Sequence, residues 1–384
     1  MLGKSRYQAL KNFVNATLEY TFLDTLRNPH LPCPAPTDTH SYASIHPPSR
    51  MHEPFLQQPI LVNTSRYTIP LSILAFVGLL LLGMQNVLAN EIANLQFPQN
   101  IIADEGLVYY IANANGDPGT RANKGFISKA DQEGKVTELH FIQGGQQSVT
   151  LHSPKEMAII GSTLYVADLD VVRGFHKTTG HPLINIPFSQ FHAESLTGLT
   201  ADAHGFLYVS DANTNTIFRI DPTQNHTISQ FVQNAKLSHP HGLAVHPRNG
   251  HLMGVGWDDG KIFEIDEKGV IHELFVNSFF SGGFYNLDGI DFDRYGIMYV
   301  SDLSAGKVWR IRANLKKEAI AEFLLSPSGI GIDRITHLIL VPYLYAKGAE
   351  INGLERPSND KPKKKKRTFS DYGFNFSKKD ATIE

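Results

Sequence analysis

One short phrase recurs six times along the chain: an often proline-led turn, a polar residue, a glycine or second polar residue, then alternating apolar residues. The copies are PQNII from Pro98, PKEMA from Pro154, LTGLT from Leu196, PHGLA from Pro240, LDGID from Leu287 and PSGIG from Pro327. About ten residues after each comes an apolar, β-branched or aromatic run: LVYYIAN from Leu107, LYVAD from Leu164, LYVSD from Leu207, LMGVGWD from Leu252, MYVSD from Met298 and LILVP from Leu338. A third run follows in several copies, as TIFRID from Thr216, KIFEID from Lys261 and KVWRIR from Lys307. Turn signals such as DAHG, PRNG, DEKG and DRYG separate them.

A period of about 40 to 50 residues, with three or four short strands per copy and no helical periodicity between them, is the pattern of propeller blades rather than of βαβ units. A lone blade exposes both faces of a small sheet, so the copies must stack around an axis to bury their apolar sides. Closing the ring also hides the sheet edges. The expectation is an all-β, six-bladed β-propeller over residues 90–355, preceded by a hydrophobic signal or anchor helix. The last copy, Pro327 to Leu354, is one strand short, and the segment Glu91 to Phe97 is expected to supply it and fasten the ring from its N-terminal end.

The segment that precedes the repeats decides where they go. Ile69 to Met84 carries no charge and runs into Val87-Leu88-Ala89, which resembles the small-x-small site of signal peptidase; cleavage there leaves Asn90 as the new N-terminus. Two readings of residues 67–89 stand, a signal peptide or a signal anchor. Six basic residues (Lys4, Arg6, Lys11, Arg27, Arg50 and Arg66) precede the apolar run and favour keeping that end in the cytoplasm. Both readings export the repeats, to the periplasm or cell exterior, or to the outer side of the membrane that holds them. No lipobox cysteine lies near Ala89; the single cysteine, Cys33, is upstream, so the repeats carry no disulfide and no thiolate. Residues 1–66, with their Pro/His/Thr-rich stretch, read as disordered or as an overextended start, Met51 being a sensible initiator. Residues 356–384 read as a basic flexible tail, in which Lys361 to Arg367 suits solvent or an anionic membrane or envelope polymer. A formal net charge of -2 argues against a surface built for nucleic acid, and no specific nucleic-acid binding is expected.

The stretches FPQNIIADEGLVYYIANA, SPKEMAIIGSTLYVADLDVVRGF, TADAHGFLYVSDANTNTIFRID and NLDGIDFDRYGIMYVSDLSAGKVWRI resemble the senescence-marker-protein/gluconolactonase superfamily, which grades into NHL-repeat propellers. The resemblance spans all six copies. It implies a six-bladed propeller with one divalent metal in the central channel and an enzyme that opens lactone rings.

The second residue of each phrase begins the innermost strand of its blade, so Gln99, Lys155, Thr197, His241, Asp288 and Ser328 are expected to ring the channel mouth. The resemblance puts metal ligands at three of these places, a Glu, an Asn and an Asp; only Asp288 is retained, Gln99 stands for the Glu and His241 for the Asn, while Thr197 stands where the family often has a substrate-binding Asn. One carboxylate, one amide and one imidazole serve calcium poorly. Zinc suits His241 and Asp288 better, with Gln99 or water and an open position that activates water. Lys155 repels a cation there, and Glu156 offsets it. The bland alternative is a polar channel lined by hydrogen-bonded residues and water.

Three other groups invite a site reading. Asp168, Asp211 and Asp302 all end the phrase YV-[AS]-D, which points to a repeated turn cap. His239, His241 and His246 share one segment, a weak pattern for a three-His site, and Trp257 reads as a packed residue. No G-x-S-x-G elbow occurs. Two functions lead: a non-catalytic exported propeller that binds a small ligand, glycan or protein at the channel-mouth face, and a metal-dependent lactonase-type hydrolase in which Asp288 is catalytic by anchoring the metal. A membrane-anchored NHL-like scaffold is the third.

Overall fold

Each repeated phrase opens the innermost strand of one blade or leads directly into it, and the runs behind it hydrogen-bond outward in chain order. The computed structural model describes residues 90–104, 108–275 and 283–355. Blade one comprises Pro98–Ala103, Tyr109–Asn113, Phe126–Ala130 and Val136–Gln143; blade two Pro154–Ile160, Thr163–Asp168, Val171–His176 and Pro182–Pro187. Blade three comprises Leu196–Ala201, Leu207–Asp211, Thr216–Asp221 and Thr227–Gln233; blade four Pro240–Val245, Leu252–Gly256, Ile262–Ile265 and Ile271–Phe275. Blade five comprises Leu287–Phe292, Met298–Asp302, Lys307–Ile311 and Lys317–Ala321. Blade six takes Gly331–Asp333, Leu338–Tyr343 and Gly348–Gly353 from the C-terminal end and its outermost strand, Asn90–Ile92, from the N-terminal end, with Ile92 paired to Ala349.

The chain is thus an all-β six-bladed propeller, and among the described residues it has no α-helix, only three short 3-10 turns. The apolar run Ile69 to Met84, the residues before it and the basic tail lie outside the described residues, and no described helix is long and apolar enough to cross a membrane.

The apolar residues that alternate along each strand gather between blades. Ala158, Tyr165 and Phe188 of blade two meet Leu199, Val209 and Phe218 of blade three, and a comparable buried cluster fills each of the other five blade–blade interfaces. The interface of blades six and one includes Ile92, Leu95, Ile101 and Leu340. The N-terminal strand therefore seals a hydrophobic seam as well as a sheet edge.

A bulge recurs at the start of the innermost strands. In blades two to five the first phrase residue and the fourth pair with the next strand, and the two between leave the ladder. The third place brings each strand against its neighbour, which is why glycine fills it in blades three to six. A Cβ on Gly198 would sit 2.1 Å from the His241 carbonyl oxygen, and one on Gly242 would sit 2.5 Å from that of Asp288. Blades one and two instead carry Asn100 and Glu156 there.

Candidate functional site

The bulge turns second and third phrase residues toward the axis, and the structure draws Gln99, Lys155, Glu156, Thr197, His241 and Asp288 around one narrow opening of about 20 Å³. That is room for roughly one water molecule. Ser328 sits in the same ring position but is fully buried and donates its hydroxyl to the Pro98 carbonyl, 2.8 Å away, closing blade six onto blade one. Thr197 likewise spends its hydroxyl between blades, 2.8 Å from the Pro240 carbonyl and 2.9 Å from Ser210. Gln99 lies 3.4 Å from its own segment's Phe97 carbonyl through its amide nitrogen. Four side chains of the ring and its neck therefore remain to face a ligand: Lys155, Glu156, His241 and Asp288.

His241 and Asp288 form a pair, Nδ1 to Oδ1 at 2.8 Å, and the imidazole stacks on Trp257 with ring centres 4.6 Å apart. The Trp that reads as packing in sequence thus holds the His ring flat while Asp288 fixes its turn about χ. Enclosure by the surrounding strands holds the imidazole pKa below the ordinary histidine range, and Asp288 opposes that pull. Lys155 has no hydrogen-bonding partner among the described residues; desolvation lowers its ammonium pKa, with Asp288 working the other way.

Glu156 lies in the channel neck. Its Oε2 accepts the backbone N–H of Leu199 at 2.9 Å and of Leu243 at 3.4 Å, tying blade two to blades three and four. Desolvation pushes its carboxyl well above the usual range near 4.5, the two N–H groups pull down, and Asp288 and Asp291 add to the rise. Three titratable groups moved from their ordinary ranges within one neck are the mark of a candidate site.

The three YV-[AS]-D carboxylates lie elsewhere and are fully buried. Asp168 accepts the N–H groups of His152 and Ser153 and pairs with Arg173 at 2.5 Å; Asp211 accepts Ser195 N–H and the Thr214 hydroxyl; Asp302 accepts the N–H groups of Tyr285 and Ala305. Each ties the loop entering a blade to its second strand. Asn113 does this in blade one, accepting Gln96 N–H at 2.9 Å. His246 stands beyond the far end of the strand that begins beside His241, so the three histidines do not converge.

The donor set does not match the metal centre that the family resemblance implies. Nδ1 of His241 and Oδ1 of Asp288 are spent on each other, and Lys155 shares the opening. Among the described residues no group of three or more His, Cys, Asp or Glu is arranged to hold a metal ion.

Sequence reasoning missed the larger space. Beyond Glu156 the channel widens into a cavity of about 1060 Å³ at the opposite end of the innermost strands. The signal was there in the fifth phrase residues, where Ala158, Thr200 and Ala244 are small and leave the far end open.

No family model matches the chain, and no curated protein matches it. Among solved structures, it is similar to a Bacteroides thetaiotaomicron protein of unknown function, at 12% identity over 68% of this chain and 70% of that one, with a TM-score of 0.54. A streptogramin B lyase structure aligns at 15% identity over 70% and 88% of the two chains with a TM-score of 0.48, and virginiamycin B lyase from Staphylococcus aureus at 17% over 70% and 89% with 0.47. At such identities the likeness to the Bacteroides protein is one of fold, and the fold is the six-bladed propeller.

Proposed function

We propose that the chain is an exported six-bladed propeller that binds a small ligand, glycan or protein side chain through an acidic group at its channel mouth. The observation that carries this is Lys155, an ammonium with no hydrogen-bonding partner among the described residues, in an opening shared with the His241–Asp288 pair. A carboxylate at the mouth would meet the Lys155 ammonium in a charge-assisted bond, while Nε2 of His241, whose ring gives its Nδ1–H to Asp288, would accept a hydroxyl or N–H of the same ligand. Export rests on the uncharged run from Ile69 and the basic residues before it. The tail from Lys361 to Arg367 suits an anionic membrane or envelope surface on the outside.

A second reading, lactone or ester hydrolysis, is favoured by the same pair. A neutral imidazole oriented by a carboxylate is a general base for water, so this route needs no metal from the residues present. The family resemblance instead implies a divalent ion, for which Gln99, His241 and Asp288 would suit zinc before calcium, although His241 and Asp288 are spent on each other.

The full-length chain decides between them. Titration with acetate or gluconate, followed by the His241 ring resonances, should saturate in wild type and weaken about tenfold in Lys155→Gln. Absence of any shift sinks the binding reading. Hydrolysis of gluconolactone that survives chelation and is lost in His241→Gln supports the metal-free hydrolase; hydrolysis that needs added zinc supports the metal route.

A further inference from the structure

We propose that the wide cavity at the far end of the channel is a separate site for an organic anion with an apolar body. It owes nothing to the reading of the mouth, from which the Glu156 carboxyl divides it; among the described residues Glu156 is the one side chain that borders both spaces.

The volume of about 1060 Å³ stands at the upper end of the range of small-molecule sites. Part of its inner wall is apolar. Ile102, Ile159 and Val245 end the innermost strands of blades one, two and four and remain partly exposed within the concavity. Tyr208 and Phe231 extend that wall as an edge-to-face pair with ring centres 5.2 Å apart. An apolar concave wall that water must occupy in the absence of a ligand favours an apolar occupant.

The charges on the wall are sorted. Lys177 is taken by Asp104 at 2.9 Å, and Arg334 is taken by Asp291, which also accepts Ile332 N–H. Asp202 and Asp266 each spend an oxygen on two backbone N–H groups of their own turns, and Glu267 stands exposed at the rim. Asp202, Asp266 and Glu267 have no Lys or Arg within ion-pair distance among the described residues, and two guanidinium groups likewise lack a carboxylate. Arg219 lies over the Phe206 ring, 4.8 Å from its centre, and Arg248 donates to the Tyr295 carbonyl; neither has a carboxylate within ion-pair distance among the described residues. They stand on adjacent blades, Arg219 across from Tyr208 in blade three and Arg248 in the turn that follows the innermost strand of blade four, and both line the cavity. The arrangement suits a carboxylate, sulfonate or phosphate held at the rim with its hydrocarbon or aromatic part against the strand ends.

Two probes with nearly the same aromatic body separate the charge from the wall: anionic 8-anilinonaphthalene-1-sulfonate and neutral N-phenyl-1-naphthylamine. With the folded full-length chain, both should bind saturably, the anion more tightly. Loss of one charge-assisted contact is worth about a tenfold change, so Arg219→Gln and Arg248→Gln should each weaken the sulfonate about tenfold and leave the neutral probe unchanged. Arg219→Lys should restore part of the loss. Thr200→Trp, which projects an indole into the cavity beside Tyr208, should weaken both probes, and Lys155→Gln should affect neither. Circular dichroism and urea midpoints confirm that each variant is folded. Absence of saturable binding overturns the proposal, as does sulfonate affinity indifferent to both arginine changes, or binding lost in Lys155→Gln.

Discussion

Replacing Glu156 by Gln tests the neck directly. The amide keeps an oxygen for the N–H groups of Leu199 and Leu243, which the carboxyl now meets at 2.9 and 3.4 Å, and it removes the ionisation. Desolvation raises this carboxyl well above its ordinary value near 4.5, so over a span of pH the folded chain holds a proton that the unfolded chain has released. A raised carboxyl therefore contributes stability that is complete below the unfolded value and is lost as the pH rises toward the folded one. Where the two states differ by one proton, stability falls by about 1.4 kcal/mol per pH unit. Wild type should lose stability with that extra slope just above pH 4.5, while Glu156→Gln should lack it, so the two proteins match near pH 4 and the variant is the more stable at pH 7. Urea denaturation at half-unit steps from pH 4 to 8 measures the difference. Parallel pH profiles, or a variant weaker than wild type at pH 7, would refute the account of a protonated neck.

Other parts of the ring carry comparable expectations. Asp168→Ala leaves Arg173 buried without its partner and frees the N–H groups of His152 and Ser153, and should cost about 3 to 5 kcal/mol in a urea titration. Gly198→Ala drives a methyl into the His241 carbonyl and should cost about 1 to 3 kcal/mol, whereas Gly205→Ala, where a Cβ meets nothing within 4 Å, should cost less and only through its positive φ. Deleting residues 90–92 removes the outermost strand of blade six and the fully buried Ile92, so limited proteolysis should cut blade six first and the unfolding transition should broaden.

The blades were legible because their cause is local and repeated. An apolar face every second residue, broken by turn residues at a fixed period, leaves a chain of this length few ways to bury its faces. The closing strand was legible by subtraction, since a three-stranded sixth copy leaves an edge that the residues before Pro98 can fill; the paired part, Asn90–Ile92, starts one residue earlier and stops sooner than the Glu91–Phe97 expected, because Asn94 and Phe97 take positive φ and break the extended run before the innermost strand of blade one. The bulge in the innermost strands left no trace in composition, yet it decides that two residues per phrase, not one, turn inward.

The ring positions show where such reading stops. Equivalent places in a repeat need not do equivalent work: Ser328 and Thr197 share the register of Lys155 and Asp288, but a short hydroxyl reaches the neighbouring strand's carbonyl before it reaches the axis, and so it is absorbed into the seam. Longer or planar side chains pass that carbonyl, which is why Lys155, His241 and Asp288 present their polar ends to the opening while Thr197 lines it with its hydroxyl already spent. The same rule of size acts in reverse at the far end, where Ala158, Thr200 and Ala244 stop short of the axis and leave a cavity. Side-chain reach, set against a strand spacing the repeat holds constant, thus divides one channel into a narrow mouth and a wide chamber, with Glu156, in a place that blades three to six give to glycine, standing between them.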